Sequence, residues 1–201
     1  MDAAISLHWE FMGHGLTNSI TLRGMPREQE ASVIAQTRGI IEGYGQKMYG
    51  WLGPSLAETD DTLNLLRGEG AEYVADWVND DLPYRMSNGL YSIPYTLELN
   101  DMPLFNMPSI AIEEFYRRIC ETIDVLYDEA ATSGRVMCIA LHPFLIGCRT
   151  ALDIWTRRCN TSRHTERSGS PPATRSSAPI ARRRRSNGIG KASPQRRDRC
   201  C

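Results

Sequence analysis

Two histidines stand where the sequence predicts the end of a β-strand. His14 follows the run Trp-Glu-Phe-Met-Gly at residues 9–13, and His142 closes the apolar run 136–141 just before a proline. In parallel α/β folds such strand ends form the ligand-binding edge. Imidazole is the side chain best suited to proton transfer near neutral pH and to metal ligation. Either histidine alone could be a hydrogen-bonded structural residue, but two of the four histidines in this context favour a shared site.

Acidic and aromatic side chains follow two further predicted strands. Asp76 and Asp80 belong to the segment Asp-Trp-Val-Asn-Asp-Asp at residues 76–81. Clustered carboxylates can orient a histidine or raise one another's pKa, although the same residues also suit a solvated loop. Trp51 and Trp77 could line a sugar or amide pocket, and packing in the core is the alternative for both.

Other chemistries find little support in the sequence. Glu10 and the segment Glu-Leu-Asn-Asp at residues 98–101 are weaker candidates for a site. The sequence contains no phosphate-binding glycine-rich loop, no G-x-S-x-G motif and no H-E-x-x-H motif. Hydride-transfer, phosphoryl-transfer and serine-hydrolase mechanisms are therefore not indicated.

Alternating elements must position these residues. Apolar residues at steps of three or four, followed by glycines, predict helices at 26–42, from Thr59 to Gly68, and at 109–133. Strands are expected to end near Trp51 and to span 72–75, 90–96 and 135–142, the last buried on both faces. This alternation is typical of an α/β fold with a largely parallel sheet.

Charge divides the chain into two regions. Residues 1–148 carry 9 Lys and Arg against 21 Asp and Glu, a net of −12, whereas residues 149–201 carry 14 against 3, a net of +11. The second region is rich in Arg, Ser, Pro and Thr and has few large apolar residues after Trp155. We therefore predict a folded domain over 1–148 and a disordered basic tail over 149–201. The tail could bind nucleic acid, but a solvated tail without a role is the favoured interpretation.

The expected compartment is the cytoplasm. The six cysteines form no C-x-x-C pair and no regular spacing, which predicts free thiols in a reducing environment. The N-terminal residues 1–10 do not resemble a secretory signal. The sequence has no apolar stretch of about 18 residues, so no membrane partner is expected.

Five motifs together resemble an intracellular branch of the polysaccharide deacetylase (NodB-like) superfamily, near its allantoinase-like members. The motifs cover residues 9–147 in order and read WEFMGHG, GWLGP, YVADWVNDD, PY with ELND, and GRVMCIALHP. The resemblance implies a distorted (β/α) barrel with its site at the carboxyl ends of the strands. It also implies hydrolysis of a non-peptide carbon–nitrogen bond, in a small amide such as an amino sugar's N-acetyl group or a cyclic amide or ureide.

The resemblance assigns roles to particular residues. It implies that His142 is the catalytic acid, with Asp76 and Asp80 in the catalytic segment that orients it. His14 matches the first metal-binding histidine, and the second would fall at Asn18, a poor zinc ligand. The cofactor is thus either a divalent metal such as zinc or none. Substrate-binding side chains are expected at Trp51, Trp77, Glu10 and Asn18.

Two departures from the family pattern lead to further expectations. The early Asp-Asp motif would lie upstream of Met1, and the family's helical continuation is replaced after Gly147 by the basic tail. We expect a fragment carrying a partial barrel, with a tail read in a shifted frame. The alternatives are a catalytically inactive remnant of the fold and, less favoured, a nucleic-acid binder acting through the tail. A homo-oligomer is also compatible with the sequence.

Overall fold

The computed structural model describes residues 2–105 and 111–148, so the predicted tail at 149–201 lies outside the described residues. The described residues form six α-helices, a short 3-10 helix at Pro54–Leu56 and four strands. The helices are α1 (Asp2–Ser6), α2 (Arg27–Gly43), α3 (Thr62–Gly68), α4 (Asp101–Phe105), α5 (Ile112–Glu129) and α6 (Pro143–Ile146). The strands are β1 (Gly50–Trp51), β2 (Tyr73–Val74), β3 (Tyr84–Arg85) and β4 (Tyr91–Ser92).

The strands form one open, mainly parallel sheet in the order β1-β2-β4-β3. The pairs β1–β2 and β2–β4 are parallel, and β3 joins β4 in antiparallel register. Gly13 continues the parallel array beyond β1 through an isolated bridge to Trp51. The connection from β1 to β2 runs through α3, as a parallel crossover requires. These features confirm the predicted α/β class with a largely parallel sheet.

Helix α2 begins and ends close to the predicted positions. Pro26 precedes its first residue in an extended conformation, which suits a proline at a helix start. The helix ends at Gly43, and Gly45, with a φ of +71°, donates its N–H to the carbonyl of Glu42. Of the predicted apolar stripe, Ile34 is buried, whereas Ile40 is exposed.

A first core lies between α2, α3 and the sheet. Its buried residues are Leu22, Ile34, Ile41, Met48, Trp51, Leu66, Ala71, Val74 and Leu90. One charged side chain lies beside them, since Glu30 is fully buried and accepts hydrogen bonds from the hydroxyls of Thr59 and Thr62. Hydrogen bonds offset part of the cost of burying this carboxylate. They also fasten the start of α3 to α2.

A second core lies under α5. Phe115 and Ile119, both in the predicted apolar stripe of this helix, pack with Leu99, Leu104 and Ile146. The prediction of a strand at 135–142 buried on both faces is wrong. This segment makes only an isolated parallel bridge from Ala140 to Asn100, and its residues are half-buried or exposed. An apolar run indicates burial, but it does not supply the backbone partners that a strand needs.

Within residues 2–105 and 111–148, no helix is both long enough and apolar enough to cross a membrane.

Close packing of the sheet gives a first prediction. A Cβ on Gly50 would overlap the ring of Tyr73 on the neighbouring strand, whereas a Cβ on Gly39, inside α2, would meet no atom within 4 Å. Gly50→Ala should lower the free energy of unfolding by about 1–3 kcal/mol. Gly39→Ala should raise it by about 0.5–1 kcal/mol, because alanine favours the helix. Urea unfolding of both variants measures this, and equal effects would contradict the packing described.

Candidate active site

The parallel array brings several polar residues to one edge of the sheet. His14 follows the bridge residue Gly13, the Leu52–Gly53 peptide follows β1, and Asp76 lies two residues beyond β2. Tyr95 lies three residues beyond β4. Because these segments run in the same direction, the residues that follow them lie at the carboxyl edge, where α/β proteins bind ligands.

His142 is held by a single buried carboxylate. Its ring Nδ1 lies 2.6 Å from Oδ1 of Asp101, and its backbone N–H donates to Oδ2 of the same residue at 2.7 Å. The Asp101 side chain is fully buried, while that of His142 is 25% exposed. A carboxylate only accepts here, so Nδ1 carries the donated proton and Nε2 is left to act elsewhere. This is the geometry of an oriented acid–base histidine.

Asp101, rather than the loop containing Asp76 and Asp80, therefore orients His142. In the sequence, residues 98–101 are only a weaker candidate for a site. Asp101 and His142 are 41 residues apart. The parallel bridge from Asn100 to Ala140 brings them together. The available sequence signal was the position of Asp101 in the segment Glu-Leu-Asn-Asp, which belongs to one of the five motifs.

Tyr95 connects this pair to the rest of the edge. Its hydroxyl accepts a hydrogen bond of 2.7 Å from Nδ2 of Asn100, the neighbour of Asp101. Burial raises the pKa of Tyr95 to about 12. Negative charge on Cys138, Asp101 and Asp76 contributes to that rise. Tyr95 is thus a neutral phenol lying within electrostatic reach of acids on both sides.

Asp76 is buried and contacts a second carboxyl group. Its Oδ1 accepts the backbone N–H of Gly53 at 2.6 Å, and its side chain hydrogen-bonds to Glu58. Only 8% of the residue is exposed. Burial is the main cause that raises the pKa of Asp76 to about 8, with Glu58 adding to the rise. Burial also raises the pKa of Glu58. Asp76 therefore keeps its proton at neutral pH.

Glu58 was missed by sequence reasoning. It lies in the loop after β1 and also accepts a hydrogen bond from Trp77. The available signal was its position, since an acid in a loop that follows a parallel strand lies at the ligand-binding edge. Nothing in the sequence showed that this loop folds back onto Asp76.

His14 is exposed and anchored on both ring nitrogens. Nδ1 contacts the carbonyl oxygen of Leu52, and Nε2 lies 3.0 Å from Oδ1 of Asn18. A carbonyl can only accept, so Nδ1 is the donor and Nε2 of the neutral ring is an acceptor. The Asn18 amide satisfies that ring nitrogen when its NH₂ group faces it.

The residues around His14 do not fit a zinc site. Zinc is held by several deprotonated nitrogen, sulfur or carboxylate ligands, whereas His14 faces a neutral amide and a backbone carbonyl. Within residues 2–105 and 111–148, no cluster of three His, Cys, Asp or Glu residues is arranged to hold a metal.

The other predicted site residues lie in different surroundings. Trp51 is fully buried, and its ring fills the space beneath Gly13, so it packs in the core and does not line an open cleft. Trp77 is 41% exposed beside Asp76. Glu10 accepts a hydrogen bond from the hydroxyl of Tyr73, whose ring lies against the start of β1, away from the carboxyl edge.

A cleft of about 320 Å³ opens beside the edge. It is bounded by residues 78–81, 94–96, 98–99 and 136–138 and by two side chains of α5. Asp80 lines it and accepts the N–H of Leu82, a bond that lowers the pKa of Asp80. Tyr95 also lines the cleft, whereas Asp101 and His142 are not among its lining residues.

Comparison with known proteins supports the resemblance seen in the sequence. No family model matches the chain. A Schizosaccharomyces pombe protein named as a polysaccharide deacetylase is 34% identical over 87 residues, covering 36% of this chain and 27% of that protein. The crystal structure of PuuE allantoinase is 29% identical, with a TM-score of 0.71, over 82% of this chain and 56% of its own.

Two further crystal structures are similar. One, from Pseudomonas aeruginosa PAO1 and named as a polysaccharide deacetylase, is 29% identical, with a TM-score of 0.70, over 82% of this chain and 57% of its own. Another so named, from Mycobacterium smegmatis, is 18% identical, with a TM-score of 0.66, over 82% of this chain and 60% of its own, and shows the fold alone. The chain is similar to polysaccharide deacetylase and allantoinase-like proteins. It spans just over half of these solved chains and about a quarter of the yeast relative.

Burial of Asp76 gives a prediction for stability against pH. Its pKa is about 8 when folded and 3.8 ordinarily, so the folded state binds the proton more tightly. The stability this group contributes is complete below about pH 4 and is lost as the pH rises through 8, at up to about 1.4 kcal/mol per pH unit. Urea unfolding between pH 5 and pH 9 should show this decline. Asp76→Asn should flatten it, whereas Asp124→Asn on the exposed face of α5 should not. Identical slopes for all three proteins would contradict the prediction.

Proposed function

We propose that this chain carries part of the active site of a hydrolase that cleaves a non-peptide carbon–nitrogen bond, as in polysaccharide deacetylases and allantoinases. The observation that carries the proposal is the pair formed by Asp101 and His142. Similarity at 29% identity to PuuE allantoinase over 82% of this chain supports it. The substrate class is a small amide, either the N-acetyl group of an amino sugar or a cyclic amide or ureide.

In this proposal His142 is the general acid. Asp101 fixes the ring through Nδ1 and the backbone N–H, so only Nε2 is directed towards substrate. Cleavage of an amide leaves a strongly basic nitrogen that must be protonated as it departs. Nε2–H of the protonated ring supplies that proton, and the carboxylate of Asp101 stabilises the imidazolium before transfer.

The two acids after β2 have different proposed roles. The raised pKa of Asp76 and its hydrogen bond to Gly53 make it a positioning group at the edge and not the resting base. Asp80 lies in the cleft, where an ionised carboxylate can accept hydrogen bonds from the hydroxyl or N–H groups of a substrate. Exposed Trp77 offers an aromatic face for a sugar or ureide ring at the same edge.

We also propose a barrel architecture, a cellular compartment and an oligomeric state for the protein. The open sheet belongs to a distorted (β/α) barrel, which is supported by TM-scores of 0.71 and 0.70 to the two closer crystal structures reported above. We place the protein in the cytoplasm, a reducing compartment in which thiols such as Cys138 and Cys148 do not form disulfides. Assembly into a homo-oligomer is part of the same proposal.

Substitution of His142 tests the assigned acid. His142→Ala should lower the rate of amide hydrolysis about 10²–10⁴-fold because the departing nitrogen loses its proton donor. Asp101→Asn should lower it less than His142→Ala, since the amide can still contact the ring. Acetate and ammonia release from N-acetylglucosamine oligomers and from allantoin would be measured, with His8→Asn and Asp124→Asn as exposed controls. Full activity in His142→Ala would overturn the assignment. A folded wild-type chain without turnover would instead favour the inactive-remnant alternative.

A chelator tests the proposed independence from metal. Because Asn18 faces His14 where a second imidazole would be needed, dialysis against EDTA should change the hydrolysis rate less than twofold. Addition of Zn²⁺ to the dialysed protein should have no larger effect. A rate that disappears with EDTA and returns with Zn²⁺ would show that metal-free hydrolysis is wrong for this chain.

A further inference from the structure

One backbone peptide joins two of the predicted site residues. The carbonyl of Leu52 accepts from Nδ1 of His14, and the N–H of Gly53, on the other side of the same peptide, donates to Oδ1 of Asp76 at 2.6 Å. These two bonds link His14 and Asp76 through the peptide and not directly to each other. The peptide therefore couples the position of His14 to that of Asp76, because each side chain is hydrogen-bonded to one side of it. Hydrogen bonds in such a series also polarise and strengthen one another.

Two buried oxygen atoms extend this series of hydrogen-bonding groups to Glu58. Oδ2 of Asp76 and Oε1 of Glu58 are both buried, and neither has a donor among the described residues. The two carboxyl groups nevertheless lie within hydrogen-bonding contact. Two ionised carboxylates cannot satisfy each other, because both only accept. One bound proton makes one of them a donor and satisfies both oxygens.

Within residues 2–105 and 111–148, the groups that act on the pair include no positive charge that could replace that proton. The groups facing the pair are the carboxylate of Glu30 from α2, the phenol of Tyr95 after β4, the indole N–H of Trp77 and the backbone N–H of Gly53. Glu30 raises the pKa of Glu58 by its negative charge. Neutral donors and like charges therefore surround the pair, as in acid dyads that share a proton.

We propose that Glu58 and Asp76 share one proton and act as a positioning pair that holds the Leu52–Gly53 peptide and, through it, His14 at the carboxyl edge. The inference deepens the proposed hydrolase function by adding Glu58 to its site. Loss of the proton places two negative charges in contact within a buried loop. The repulsion separates the loop after β1 from Asp76, and the Gly53 N–H and His14 lose their fixed positions.

NMR titration of the full-length, isotope-labelled protein tests the pair without requiring turnover. The side-chain carboxyl ¹³C signals of Glu58 and Asp76 should move together in one step above pH 6, and the Gly53 amide ¹H and ¹⁵N signals should follow the same midpoint. Independent titration of both carboxyls near pH 4, with a Gly53 amide that does not move above pH 6, would overturn the proposal.

A pair of variants tests the role of Glu58. Glu58→Gln supplies a neutral donor to Asp76, so Asp76 should ionise at a pH lower by about 2 units or more, and the Gly53 step should move with it. Glu28→Gln, in the exposed first turn of α2, is the matched control and should leave the midpoint unchanged. Equal midpoints in the two variants would refute the pairing. If Glu58→Gln does not fold, the wild-type titration alone decides.

The experiment separates this inference from the hydrolase proposal. A chain without turnover that still shows the single shared step would keep the pair and remove the enzymatic role. A chain that hydrolyses amides but whose two carboxyl groups titrate independently near pH 4 would keep the enzymatic role and remove the pair. If both hold, Glu58→Gln should displace the alkaline limb of the pH–rate profile, whereas His142→Ala should reduce the rate across the whole profile.

Discussion

Parallel pairing of short chain segments is the constraint on which this site depends. Gly13, β1, β2 and β4 run in one direction, and each of these strands contains only two residues. Such a sheet has few hydrogen bonds of its own, so the loops beyond the strands must help to hold it together. The loops do so through polar side chains that hydrogen-bond to backbone groups. Titratable residues are therefore needed at this edge to maintain the structure.

Buried acids meet this requirement in two different ways. Asp101 accepts two N–H groups of His142, one from the backbone and one from the ring, so both of its oxygens are used. Asp76 accepts only the N–H of Gly53, and its other oxygen faces Glu58. Burial beside another acid favours the neutral form of the Asp76 carboxyl and raises its pKa. Two residues of the same type therefore satisfy their oxygens in different ways on one edge.

The sequence predicted the parts of the fold that local chemistry determines. Glycines after α2 and α3 and the apolar stripe with Phe115 and Ile119 lie where the patterns indicated. Pairings between distant residues were not predicted. No strand was predicted at the position of β3, and its pairing with β4 depends on register rather than composition. Likewise, many acids could have faced His142, and only the bridge at Asn100 selects Asp101.

Hydrogen bonds hold the ring of His14, because its neighbours are the neutral amide of Asn18 and the carbonyl of Leu52. Burial raises the pKa of Asp76, so this acid resists ionisation at neutral pH. Proton transfer at this edge then requires a side chain that a partner fixes in one orientation. Among the predicted site residues, His142 meets this condition, because Asp101 accepts hydrogen bonds from its Nδ1 and its backbone N–H and does not occupy Nε2.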